Sequence, residues 1–190
     1  LPVSQSDRFM TVTRITTSSS TWLGPATRSR NLARLAGAAR VDLTPELGVA
    51  LMGYGARVGT AQSVADRLHA RAIALDDGGT NSLIAVSADL CLMAPEQALS
   101  VRERIAAATG VGVARILVAC THTHSGPDTG LADLLAGRPV PPHVPSILEG
   151  IAAAAVQAWR AREPATFAWT RTRARIGRNR RVEDAPIDES

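Results

Sequence analysis

The sequence has no lysine, two cysteines, one tyrosine and two phenylalanines, and each scarcity excludes something. With Cys91 and Cys120 the only cysteines, no disulfide framework holds the fold together, and both are read as buried free thiols. An aromatic content of 3% leaves the core to Leu, Val, Ile and above all Ala, which makes a finely packed core that tolerates Ala-lined helix contacts. Long apolar runs are also missing. Leu83 to Val86, Ile116 to Cys120 and Ile151 to Val156 all fall far below the roughly 20 residues of a membrane-spanning helix. The opening residues lack the continuous apolar stretch of a secretory signal. All 21 basic residues are Arg, yet the net charge is only +4, so the high pI reflects arginine's strong basicity and does not compel nucleic-acid binding.

At 190 residues, 45% of them hydrophobic, the chain suits one globular domain or part of a larger one. Residues 1–35 are rich in Ser, Thr and Arg without sustained periodicity, and are read as a flexible leader. From Ala36 the texture changes. Ala39 to Thr44 is a strand candidate, and Pro45 to Gly59 a glycine-rich loop carrying Tyr54. Leu68 to Leu75 and the run from Leu83 flank Asp76-Asp77-Gly78-Gly79, which predicts a β-hairpin. Pro95 opens a helical period through Ala98, Val101, Ile105 and Ala108 that Gly110 ends. Ile116 to Cys120 is uniformly apolar, as in a strand buried on both faces. This strand, helix, strand order predicts two parallel strands in an α/β fold with a mixed sheet. Asp89 and His122 then leave the C-terminal edge, where such sheets bind ligands. After a Gly/Pro-rich loop from Gly126 to Pro145, Ser146 and Glu149 suggest a capping box for a helix bearing Ile147, Leu148, Ile151, Ala155 and Trp159 on one face. Thr166 to Ile176 alternates like a strand, and the polar ending at Ser190 reads as a chain cut in mid-domain.

The chemistry concentrates at Cys120-Thr121-His122-Thr123-His124-Ser125-Gly126-Pro127. In extended backbone, side chains at i and i+2 share a face, so His122 and His124 can offer imidazole nitrogens to one metal ion. A polar loop bonded to its own backbone is the competing reading. Cys120 falls on the same face, as a core residue or a thiolate donor. Asp89 is either a carboxylate orienting a ligating His or a turn and cap residue. His69 reads as half-buried structure and His143 as surface. The arginines from Arg171 to Arg181 form either a solvated edge strand or a basic strip. The strip supports an alternative function, a non-enzymatic fragment that binds anionic lipid or nucleic acid.

Thr121 to Pro127 resembles the THTHSGP signature of the neutral/alkaline non-lysosomal ceramidase family, and the surroundings agree in order. They include Ala36 to Pro45, Met52-Gly53-Tyr54, Ala70-Arg71-Ala72 before Asp76-Asp77-Gly78, Val86 to Leu90, and Gly177 to Arg181. The resemblance implies that residues 36–190 are the incomplete N-terminal part of a ceramidase-like catalytic domain. It further implies a zinc-dependent amidohydrolase that cleaves the N-acyl bond of ceramide to sphingosine and a fatty acid, with Zn2+ activating water for attack. By the same resemblance His122 is a zinc ligand, His124 sits beside the metal, and Arg180 lies near the substrate. The other family ligands, a His, a Glu and a Tyr, have no counterpart in these 190 residues, so the chain alone is expected to hold zinc poorly and to be inactive. Ala65 stands where relatives often carry His. The implied partner is a ceramide-like N-acyl lipid, with contact at a membrane surface and no nucleic acid. Family members are often secreted or periplasmic.

Overall fold

A computed structural model describes residues 34–166 and Val182. A five-stranded mixed sheet forms the frame, in the order β4-β3-β2-β1-β5. The strands are β1 (Leu35–Asp42), β2 (His69–Asp76), β3 (Leu83–Ala88), β4 (Ile116–Cys120) and the short β5 (Glu163–Pro164). Two longer helices, α1 (Pro95–Thr109) and α3 (Val144–Arg160), pack against it, and a short α2 (Leu131–Leu135) interrupts the loop between β4 and α3.

The expected hairpin is present: β2 and β3 pair antiparallel around the Asp77 turn, where Asp77 accepts hydrogen bonds from the Gly79 and Asn81 backbone N–H groups. The Asn81 side chain and these N–H groups hold the Asp77 carboxyl below its usual range. The crossover also holds. α1 runs from Pro95 until Gly110 adopts the left-handed conformation that its missing Cβ permits, and β4 returns parallel to β3.

Alanine lets the layers approach. Ala70, Ala72 and Ala74 of β2 and Ala154, Ala155 and Ala158 of α3 are all fully or nearly fully buried, with Ile84, Ile105 and Ile151 filling between them. Gly37 of β1 is required for the same reason, since a Cβ there would run into the Ala158 carbonyl and stand 2.9 Å from the Arg162 nitrogen. Both long helices lie on one side. On the other face Ile73, Leu83 and Leu117 are 50%, 41% and 59% exposed. Ile73 is in register with Ala38 on one side and Ala85 on the other, and Ala85 with Leu117, so these four residues make one row across the sheet.

Several sequence expectations are corrected. β1 begins at Leu35 rather than Ala39, because its Ala/Gly-rich first half is recruited by complete pairing with β2. β4 is an edge strand among the described residues and is covered on one face only, with Leu117 exposed on the other. α3 starts at Val144, and Ser146 already lies in its first turn with its hydroxyl donating to the His143 carbonyl, so there is no Ser146/Glu149 capping box. His143 is half-buried and donates through Nε2 to the Asp128 carbonyl at 2.7 Å, a structural tie rather than a surface residue. The strand expected through Ile176, the arginines from Arg171 to Arg181, and Arg180 among them, lie outside the described residues. No described helix is long and apolar enough to cross a membrane.

Candidate metal centre at the C-terminal edge of the sheet

β3 and β4 end side by side, with Ala88 opposite Cys120, and the chain leaves both strands toward the same edge. The Thr121 N–H donates to Ala88 O at 2.9 Å and the His122 N–H to Leu90 O at 3.0 Å, which locks the two exits together. His122 then takes φ 61°, the only left-handed residue other than glycine among those described. A non-glycine residue pays strain in this region, and such residues concentrate where geometry matters for function. The two histidines therefore do not meet by strand alternation. They meet because the chain turns at His122.

A carbonyl oxygen only accepts, so the 2.8 Å contact between His122 Nδ1 and Cys91 O places a proton on Nδ1, and in the neutral ring Nε2 then carries the lone pair. That lone pair faces His124 Nε2 at 3.4 Å. Two imidazole nitrogens bound to one tetrahedral Zn2+ at roughly 2.0–2.1 Å stand about 3.3–3.4 Å apart. The spacing suits a shared ion or a hydrogen bond between the two rings, and a backbone carbonyl fixing the far nitrogen is the usual support of a ligating His. Cys91 Sγ, buried beneath, lies 3.9 Å from His122 Nδ1, and the donor atoms of Cys91, His122 and His124 all fall within 4.8 Å of one another.

The glycine-rich loop before β2 forms the other wall. Gly53, at φ 114°, lies so close to His124 that a Cβ there would sit 2.6 Å from the His124 Cβ. The Tyr54 ring meets the His124 ring edge-on at 4.8 Å. Arg57 donates through Nη1 to His124 O at 2.7 Å and Met52 O at 3.2 Å, while its guanidinium stands 4.8 Å from the Tyr54 ring centre. Below, Met52 N donates to Gly126 O and Asp128 N to Ala50 O, and the buried Gln97 side chain ties the start of α1 to Thr129 O at 2.8 Å. Every segment around His124 is thereby anchored.

Of the residues singled out from the sequence, His122 and His124 come together and Tyr54 joins them. Asp89 does not orient His122: its carboxylate accepts from Arg71 Nη1 at 2.7 Å and from the His69 N–H at 3.0 Å. His69 itself is half-buried structure, as expected. Cys120 is half-buried, and its thiol pKa is raised by burial and by the neighbouring Cys91. Cys91 and Arg57 were not singled out. Arg57 reaches across 67 residues to His124, so no local pattern reveals it.

Residues 35–185 match the family model of the neutral/alkaline non-lysosomal ceramidases, N-terminal part. The chain belongs to this family. Among solved structures it is similar to the neutral ceramidase from Pseudomonas aeruginosa, with 26% identity and a TM-score of 0.61 over 70% of this chain. A ceramidase complexed with C2 gives the same 26% identity, TM-score of 0.61 and 70% coverage. The chain spans 22% of the length of each of these structures. The shared family and sheet give the His122–His124 edge its context as part of a ceramidase-type fold.

Proposed function

We propose that residues 36–190 are the N-terminal part of the catalytic domain of a zinc-dependent amidohydrolase, preceded by a leader over residues 1–35. Its reaction is hydrolysis of the N-acyl amide bond of ceramide, or of a related N-acyl lipid, to sphingosine and fatty acid. The observation that carries this reading is the 3.4 Å approach of two Nε2 atoms, one with its lone pair fixed outward by Cys91 O. Family membership over residues 35–185 supports the amide-cleaving chemistry.

The donor set suits a borderline-soft divalent ion such as Zn2+. When bound, such an ion polarises a carbonyl and makes water nucleophilic near neutral pH. The residues of this chain supply the rest. His122 presents Nε2 as ligand, oriented by the Cys91 carbonyl. His124, held by Arg57 and Gly53, stands beside it as an active-site polar partner. Arg180 orients the substrate. A lipid with one amide and two alkyl chains would be taken from a membrane surface, so peripheral contact accompanies the reaction.

The test uses a protein that carries this chain together with the remainder of the catalytic domain, assayed on an N-acyl sphingosine. Chelator and His122→Ala should each abolish turnover while the circular dichroism spectrum stays unchanged. Undiminished turnover in His122→Ala would overturn the assignment.

A further inference from the structure

We infer that Tyr54, braced by Arg57, is the positioning residue of His124: it holds the imidazole ring beside His122 without itself touching the reacting amide. This rests on the reading of His124 as an active-site group and deepens it. The two histidines are held in different ways. His122 is oriented by a hydrogen bond on the far side of its ring, from Nδ1 to Cys91 O at 2.8 Å. His124 has no such tie. Among the described residues the one hydrogen-bonding contact of its ring is the 3.4 Å approach of Nε2 to His122 Nε2, and Nδ1 is left to itself. A half-buried imidazole held at one nitrogen still turns about its side-chain torsions, so packing must set its plane.

That packing comes from one short stretch of the glycine-rich loop. Gly53, at φ 114°, passes so close that a Cβ would stand 2.6 Å from the His124 Cβ, and the chain then carries Tyr54 alongside the ring. Tyr54 meets His124 edge-on, with ring centres 4.8 Å apart and planes at 83°, while His122 meets it at 5.0 Å and 70°. Both are favoured edge-to-face arrangements. Tyr54 is 61% exposed, so its own loop must steady it. The Arg57 N–H donates to Tyr54 O at 3.0 Å, closing a turn that brings the guanidinium to 4.8 Å from the Tyr54 ring centre, within cation–π range. The same guanidinium donates to His124 O at 2.7 Å and Met52 O at 3.2 Å. Arg57 therefore fixes both the backbone of His124 and the aromatic ring that sets its imidazole. The Tyr54 ring, not its hydroxyl, makes the contact, so phenylalanine would serve equally.

Two readouts test this role. In a protein carrying this chain with the remainder of the catalytic domain, assayed on an N-acyl sphingosine, Tyr54→Leu should lower kcat about tenfold or more with KM within about twofold. Tyr54→Phe, which keeps the ring, should restore kcat to within about twofold of the parent. In the 190-residue chain labelled with carbon-13 histidine and kept in chelator, the imidazole cross-peaks report ring placement whatever the reaction. The His124 peak, assigned by its loss in His124→Gln, should carry the ring-current shift of an aromatic neighbour in the parent and in Tyr54→Phe. It should move toward the position of a free histidine in Tyr54→Leu, and part of the way in Arg57→Ala, while the His122 peak moves less. Circular dichroism melts establish that each variant is folded at the assay temperature. An unmoved His124 peak in Tyr54→Leu would overturn the positioning role, and an unmoved peak in Arg57→Ala would overturn the bracing. Tyr54→Phe as slow as Tyr54→Leu would refute the proposal by putting the hydroxyl in the chemistry. A raised KM with kcat unchanged would refute it by making Tyr54 a substrate contact. Absence of turnover in the parent would sink the amidohydrolase reading alone, with the His124 peak still deciding the placement.

Discussion

Gly53→Ala separates a site held by its second wall from one held by the sheet alone. Gly53 sits at φ 114°, and a Cβ there would stand 2.6 Å from the Cβ and 2.8 Å from the Cα of His124, against backbone that cannot rotate away. Holding alanine in that conformation costs about 1–3 kcal/mol. Overpacking against fixed atoms costs about 1–3 kcal/mol more. The Tyr54 side of the loop is exposed and can yield, so some of this relaxes into loop displacement, and about 2–4 kcal/mol is expected to remain. With a urea slope of roughly 1–3 kcal/mol per molar, the unfolding midpoint should fall by about 1 M or more. Gly55→Ala is the internal control, because nothing lies within 4 Å of a Cβ there. Its midpoint should stay within about 1 kcal/mol of the parent. Equal midpoints for the two variants would show that the Gly53–His124 contact does not constrain the loop, and the account of His124 as a clamped residue would fail.

Arg57→Ala removes two charged hydrogen bonds to the His124 and Met52 carbonyls and should cost about 1–3 kcal/mol in chemical denaturation; an unchanged midpoint would show that His124 is positioned without it. Ile151 is fully buried in α3 against the sheet, so Ile151→Ala should lower stability by about 2–5 kcal/mol in urea, and a loss below about 1 kcal/mol would contradict the packing. At Asp42, burial pushes the carboxyl pKa up but is outweighed by hydrogen bonds from Thr44 and by Arg67, leaving it at about 2, below its ordinary 3.8. A depressed pKa stabilises the fold above pH 3.8 and the benefit disappears as pH falls through about 2, so Asp42→Asn should be the less stable protein at pH 6 and match the parent near pH 2. A difference that persists at pH 2 would point to a lost contact rather than a lost charge.

The run from β2 through β3 and α1 to β4 was legible because its signals are local: a turn at Asp77 to Gly79, a proline opening a helix, a glycine closing it, and apolar spacing between them. β4 was legible as a strand but not as an edge, because Ile116 to Cys120 is apolar at every position and carries no alternation to say which face is covered. Ala36 to Ala38 has little intrinsic strand preference, and only pairing with Ile73 to Leu75 makes it one. At the site, the His-x-His spacing was visible while the left-handed turn at His122 was not, since histidine rarely takes that conformation unaided. Cys91 looked like any buried thiol until the fold brought its Sγ, across 31 residues of sequence, to 3.9 Å from His122 Nδ1.

The row from Ala38 through Ile73 and Ala85 to Leu117 leaves an apolar stripe exposed on the face of the sheet opposite the two long helices. For anyone handling the chain, that asymmetry matters more than its core. Ile73, Leu83 and Leu117 add contiguous exposed apolar surface that favours association at high concentration, and they contribute nothing to the helix-covered interior. Threonine at Ile73 and Leu117 should therefore raise the concentration at which the protein stays monodisperse while its unfolding midpoint barely moves. Solubility and stability are written on opposite faces of the same five strands, and each can be adjusted without disturbing the other.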